Sequence, residues 1–251
     1  MSNAVGHAEA HGHGVGHHPA LQHHFESMQQ QKEAVTLGMW VFLLTEVLFF
    51  GGLFTAYTLY RIWYYDAFAE ASKSLDLFWG GLNTAVLIGS SLTMAFAVRS
   101  AQTNHRKATV NWLIATMFLG AVFLGVKVIE YADKFEHHHV PGPNFIWESA
   151  HEPAAGEAPV EAAHTPRTMS AEQLQRTTQI YFSLYFTMTG LHALHMIVGI
   201  GILATITWMA SKGRFDEHYY APVEMSGLYW HFVDIVWIYL FPLLYLVERH
   251  V

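Results

Sequence analysis

The sequence predicts an all-α fold, an integral membrane bundle of five transmembrane helices. Three observations carry this expectation. The apolar residues, 52% of the chain, are gathered into five blocks instead of being scattered as a soluble core requires. Each block has at least the roughly 20 residues that cross about 30 Å of hydrocarbon at 1.5 Å per residue. Charged residues make up only 13% of the chain and fall mainly between the blocks, which is why the mean hydropathy is a modest +0.21.

Residues 1–31 hold seven of the eighteen histidines among Gly and Ala and read as a disordered, His-rich tail. It lacks the basic start and short apolar core of a secretory signal, so the first block is expected to stay in the membrane. The five-helix domain is expected over 32–251. Its helices run over about 34–60, 77–98, 108–131, 179–210 and 223–247. The connections near 61–76, 99–107 and 211–222 are short. The segment 133–178 is a long acidic loop rich in Pro, Ala and Glu, with the run His137, His138, His139 near its start.

Arg99, Arg106, Lys107, Lys212 and Arg214 fall in the second and fourth connections, on the same side as the N-terminus. The excess of basic residues in short cytoplasmic loops puts that side in the cytoplasm, and the C-terminus and acidic loop in the periplasm. The net charge of −7 and the lack of a basic block argue against nucleic acid as a partner. A chain without cysteine cannot supply thiolate ligands for iron–sulfur or copper centres, nor attach haem covalently.

Ionisable side chains in hydrocarbon are costly unless neutral, paired or wet, so each one inside a block needs a reason. Glu46 lies near the middle of the first helix, His192 and His195 near the middle of the fourth, and His231 and Asp234 on the fifth. Both pairs are three residues apart and share a helical face. A polar layer at half-height is expected, with Glu46 bonded to a histidine of the fourth helix. Such a layer serves either proton handling or simple adhesion between helices, worth about 0.6 kcal/mol per pair. Lys127 and Glu130 form a pair, or reach towards water, at one end of the third helix. Gly51, Gly52, Asn83, Ser90, Ser91, Gly190 and Gly199 suit close helix contact. The His/Asp supply falls short of the several histidine boxes of a membrane di-iron enzyme, so neither a metal nor a catalytic residue is assigned to this chain.

Five strings point further: WVFLLTEVLFF at Trp40 to Phe50, LNTAVLIGSSLTM at Leu82 to Met94, VIEYADKF at Val128 to Phe135, TGLHALHMIVG at Thr189 to Gly199, and YWHFVDIVWIYLFPLLYL at Tyr229 to Leu246. Together, and in this order, they resemble subunit III of the haem-copper oxidases, in a short five-helix bacterial form. By that resemblance Trp40 and Glu46 match the first-helix motif with its intramembrane carboxylate, and Asn83 falls within the second string. Glu130 and Tyr131 match the E-Y motif, His192 and His195 the T-G-x-H-x-x-H motif, and Trp230, His231 and Asp234 the Y-W-H-F-V-D motif.

The resemblance implies an accessory, non-redox subunit of a bacterial cytochrome c oxidase in the inner membrane. That enzyme reduces dioxygen to water and pumps protons. This chain would pack against subunit I, with subunit II and a small subunit IV in the same assembly. It would bind phospholipid and support proton uptake, while haem and copper reside in partner subunits. The nearest alternatives are subunit III of a quinol oxidase or a homologue associated with nitric oxide reductase. A membrane metalloenzyme and a proton-coupled transporter are more remote readings.

Overall fold

The computed structural model describes residues 21–136, 140–142, 145, 147, 170–216 and 219–247. Among them are six helices and no strand. They are α1 (Met28–Trp63), α2 (Tyr65–Lys73), α3 (Leu77–Gln102), α4 (Arg106–Glu136), α5 (Ala171–Ser211) and α6 (Ala221–Tyr245). All except α2 are long and apolar enough to cross a membrane, so the five expected spans are present in the expected order.

The helices outrun the apolar blocks, because hydrocarbon thickness limits the greasy run and not the helix that contains it. Helix α1 starts at Met28 instead of 34, where Ser27 caps it by accepting from the Gln30 amide. Residues 21–31, read above as part of a disordered tail, are therefore partly folded: the Gln22 and Glu26 amides donate to the side chains of Gln31 and Gln30. The rest of the His-rich tail, 1–20, and most of the acidic loop with His137 to His139 lie outside the described residues.

Helix α5 begins at Ala171 behind a Ser170/Gln173 capping box, and its 41 residues span about 60 Å at 1.5 Å each. That is about twice the thickness of the hydrocarbon, so its first turns stand outside it. Helix α6 ends at Tyr245, two residues before the expected end.

The stretch expected to be a plain connection at 61–76 contains the nine-residue α2. It lies against α5, α1 and α6, burying Ala67, Phe68, Ala71 and Ser72. Lys134 of α4 donates to the Ser74 carbonyl at its C-terminal end, where a cation suits the helix dipole.

In the bundle, α3 lies along α4 and α6, and α5 along α4 and α6. Helix α6 is the most buried of the five spans and α1 the least. The core runs down α6 through Trp230, Val233, Trp237, Leu240 and Leu244.

Two glycines let Trp230 in: a Cβ at Gly120 would stand 2.7 Å from its ring, and one at Gly199 3.1 Å. Gly80 and Gly227 likewise admit Tyr245 and Val98, each at 2.9 Å. Of the small residues expected to mediate contact, Gly199 does so. Gly51 and Gly52 face open space, because they sit on the outward side of the least buried helix.

The end of α6 is held from outside. Pro242 lacks an N–H, and the last carbonyls of a helix have no partner within it. The Tyr57 hydroxyl of α1 donates to the Leu243 carbonyl at 2.8 Å, and the Tyr181 hydroxyl of α5 to that of Leu244 at 3.0 Å.

Candidate functional site

The intramembrane polar residues nominated by the sequence fall into three groups instead of one continuous layer. The first joins α1 to α5. His195 Nε2 lies 3.1 Å from Glu46 Oε2, while His195 Nδ1 bonds the Leu191 carbonyl oxygen at 2.8 Å. The Tyr229 hydroxyl of α6 donates to the His195 carbonyl at 3.0 Å, so all three helices meet here. The pair opens onto a groove of about 400 Å³ whose other walls are largely apolar, among them Met39, Phe42, Leu194 and Met225. The expected bond from Glu46 to a fourth-span histidine is thus formed, and His195 is the histidine that forms it.

His192 takes the other direction. Residues three apart on a helix differ by about 60° around the axis, enough to send one side chain to the groove and the other into the core. His192 is 1% exposed, and its ring sits between Phe123 and Trp237 with neither nitrogen hydrogen-bonded.

The second group joins α3 to α6. Ser91 Oγ lies 2.7 Å from His231 Nδ1, the Trp230 indole N–H donates to Ser90 Oγ at 3.1 Å, and that of Trp237 to Thr84 Oγ1 at 3.1 Å. Asp234 is buried beside these residues. The Ser91 hydroxyl is near enough to interact with its carboxylate, yet neither carboxylate oxygen has a well-directed hydrogen bond. Asn83, fully buried, has no hydrogen bond from its side chain either.

The third group lies towards the α2 end of the bundle. Lys127 Nζ donates to Glu130 Oε2 at 2.8 Å and to the Tyr245 hydroxyl at 2.7 Å. The Tyr185 hydroxyl donates to Glu130 Oε1 at 2.6 Å, and the Tyr245 hydroxyl donates to the same oxygen. The ammonium also sits 4.7 Å from the Trp237 ring centroid, within cation–π range. Lys127 is 3% exposed, so the pair is enclosed by tyrosines and does not reach towards water. Next to it the Tyr131 hydroxyl shares a 2.6 Å bond with Thr189. Trp40, by contrast, stands on the outward face of α1, 59% exposed.

Of the small residues expected at helix contacts, Ser90 and Ser91 do join α3 to α6, but sequence reasoning missed Thr84, Tyr185 and Tyr245 as partners. Their only signal was a hydroxyl in an apolar run, which does not say what it faces. Among the described residues no three His, Asp or Glu side chains converge as metal ligands would.

Fold and site together define a multi-pass membrane bundle whose intramembrane polar groups bond helix to helix. The family model described as cytochrome c oxidase subunit III matches residues 19–136 and 169–248, and so takes in all five spans. Among curated proteins, the cytochrome c oxidase subunit 3 of Thermostichus vulcanus is 29% identical over 214 residues, 85% of this chain and 87% of that one. The corresponding subunit of a Synechocystis strain is 28% identical over 95% of this chain and 80% of its own, and that of Petromyzon marinus is 28% identical over 90% and 73%. The chain belongs to the cytochrome c oxidase subunit III family.

Proposed function

We propose that this chain is the accessory, non-redox subunit of a bacterial cytochrome c oxidase. It packs against subunit I in the inner membrane, with subunit II and a small subunit IV in the same assembly. It orders phospholipid in the groove beside Glu46 and supports proton uptake by the complex. Haem and copper belong to the partner subunits, and the N-terminal side of α1 faces the cytoplasm. The observation that carries this reading is the match of all five spans to the subunit III family, in a bundle whose polar side chains are engaged mostly with one another.

Lipid in the groove fits its apolar walls and its opening towards the bilayer. The test is affinity purification of the tagged chain from its own membranes in a mild detergent. The expected result is equimolar recovery of a haem-bearing and a copper-bearing subunit, with dioxygen reduction in the eluate. A chain that elutes alone, or that carries stoichiometric metal of its own after chelation, would overturn the reading.

A further inference from the structure

Helix α1 is held unevenly along its length. From Phe50 towards its C-terminal end it packs ring on ring: Phe50 against Phe232, Phe54 against Tyr239, and Tyr57 against Phe68 and Tyr181. Phe50 and Tyr57 are fully buried. Towards its N-terminus α1 borders two cavities instead. One is the groove of about 400 Å³ beside Glu46, where the Phe42 and Tyr229 rings face each other. The other, of about 190 Å³, lies between Met28, Lys32 and Val35 of α1 and Tyr219 and Pro222 at the start of α6. Met225 of α6 lines both, so the two adjoin.

A polar contact closes the far end of this space. Lys32 Nζ donates to the Tyr220 hydroxyl at 3.0 Å, lies 4.6 Å from the centroid of that ring, and sits 3.5 Å from Glu224 Oε2. The Lys32 and Glu224 side chains are 39% and 29% exposed, and an ion pair open to water shifts an equilibrium by no more than about fivefold. With the hydrogen bond added, the contact favours closure on the order of tenfold. Thermal motion can release it.

Between the packed and the latched ends lie Gly51 and Gly52. A Cβ at either would meet nothing within 4 Å, so packing does not account for them. Glycine is a weak helix former, and helices kink where glycines pair with residues of this kind. The Thr55 hydroxyl also donates to the Gly51 carbonyl at 2.8 Å, a bond that bends helices. Lys32 stands about 28 Å along the axis from this point at 1.5 Å per residue, so a bend of about 10° moves it about 5 Å, out of reach of Tyr220 and Glu224. Glu46 is within two turns of the bend and moves only about 1 Å.

We propose that the N-terminal half of α1 is a hinged strap, bending at Gly51 and Gly52 and latched by Lys32 on Tyr220 and Glu224. Release of the latch widens both cavities towards the leaflet at that end. A phospholipid of that leaflet then has a way in behind α1. This last consequence rests on the lipid reading given above, whereas the movement does not.

The chain has no cysteine, so two introduced ones are its only thiol-labelling sites. Leu37 of α1 and Ile114 of α4 are exposed and report on the strap, and Leu59 and Val128 report on the packed end. Each pair is changed to cysteine, spin-labelled, and measured by pulsed double electron–electron resonance on the full-length protein in lipid nanodiscs. The Leu37–Ile114 pair should show a short distance and a longer one. Lys32→Met should raise the ratio of long to short by about tenfold, and Tyr220→Phe should raise it less. About 0.5 M salt should act in the same direction with the latch residues intact. Gly51→Ala combined with Gly52→Ala should lower the ratio. The Leu59–Val128 distance should stay single throughout.

A single Leu37–Ile114 distance that neither Lys32→Met nor salt alters would overturn the proposal. So would a Leu59–Val128 distance that shifts with it, because the whole helix would then be leaving the bundle. Phosphorus per chain through a series of detergent washes reads the lipid separately, and it should fall faster in Lys32→Met. Shifted distances beside unchanged phosphorus would leave the strap standing and remove the lipid from the groove.

Discussion

At the scale of single residues, the enclosed Lys127–Glu130 pair is the most demanding feature of the bundle. Removing one member of a buried ion pair leaves the other uncompensated, at about 3–5 kcal/mol. Lys127→Met should therefore sharply lower the thermal midpoint of the detergent-solubilised protein. Adding Glu130→Gln to it should restore most of the loss, as read by the same melting curve. If the single and double variants melted alike, the cluster would not be acting as a unit. Glu46→Gln should behave differently. It preserves the contact with His195, so the complex should assemble with its haem intact and lose turnover, or lose it sooner, only mildly in an oxygen-electrode assay.

The spacing of three between Lys127 and Glu130 made their pairing legible in the sequence. Their enclosure was not, because the tyrosines that close the cluster come from 55 and 115 residues further along the chain. The same holds for His195 and Glu46, 149 residues apart. Chemistry nominated both residues, but only packing could choose between His192 and His195 as the partner.

At the scale of the elements, the five spans were legible because hydrocarbon imposes one length and one composition on each. Helix α2 was not. It is nine residues long, with a buried side of alanine and phenylalanine and an outer side carrying Glu70 and Lys73, and such a helix exists only because a bundle lies beneath it. The glycines teach a similar lesson. The sequence nominated Gly51 and Gly52 alongside Gly199, but smallness alone does not say which face meets a neighbour.

Gly120 does meet one. A side chain there runs into the Trp230 ring, which is itself fully buried. Gly120→Val should cost about 1–3 kcal/mol by overpacking, seen as a lower melting temperature and quenched or shifted tryptophan emission. Gly51→Val, facing open space, should change neither in the isolated chain. Tyr57→Phe belongs at this scale too. It strips the half-buried Leu243 carbonyl of its side-chain donor, a loss of about 1 kcal/mol. Faster hydrogen exchange in the last turn of α6 would report it.

At the scale of the whole molecule, α6 lies against α1, α2, α3 and α5, and reaches α4 through Trp230 and Tyr245. It is also the last of the six helices in chain order. Its partners therefore enter the bilayer before their shared neighbour has been synthesised, and they wait there with the Trp230 recess between Gly120 and Gly199 unfilled. Insertion and compaction should be separable in time. Chains stalled on the ribosome before Ala221 should be embedded yet readily digested, and those released after Tyr245 should resist protease. A cell that makes this protein must shelter a half-built bundle until α6 arrives.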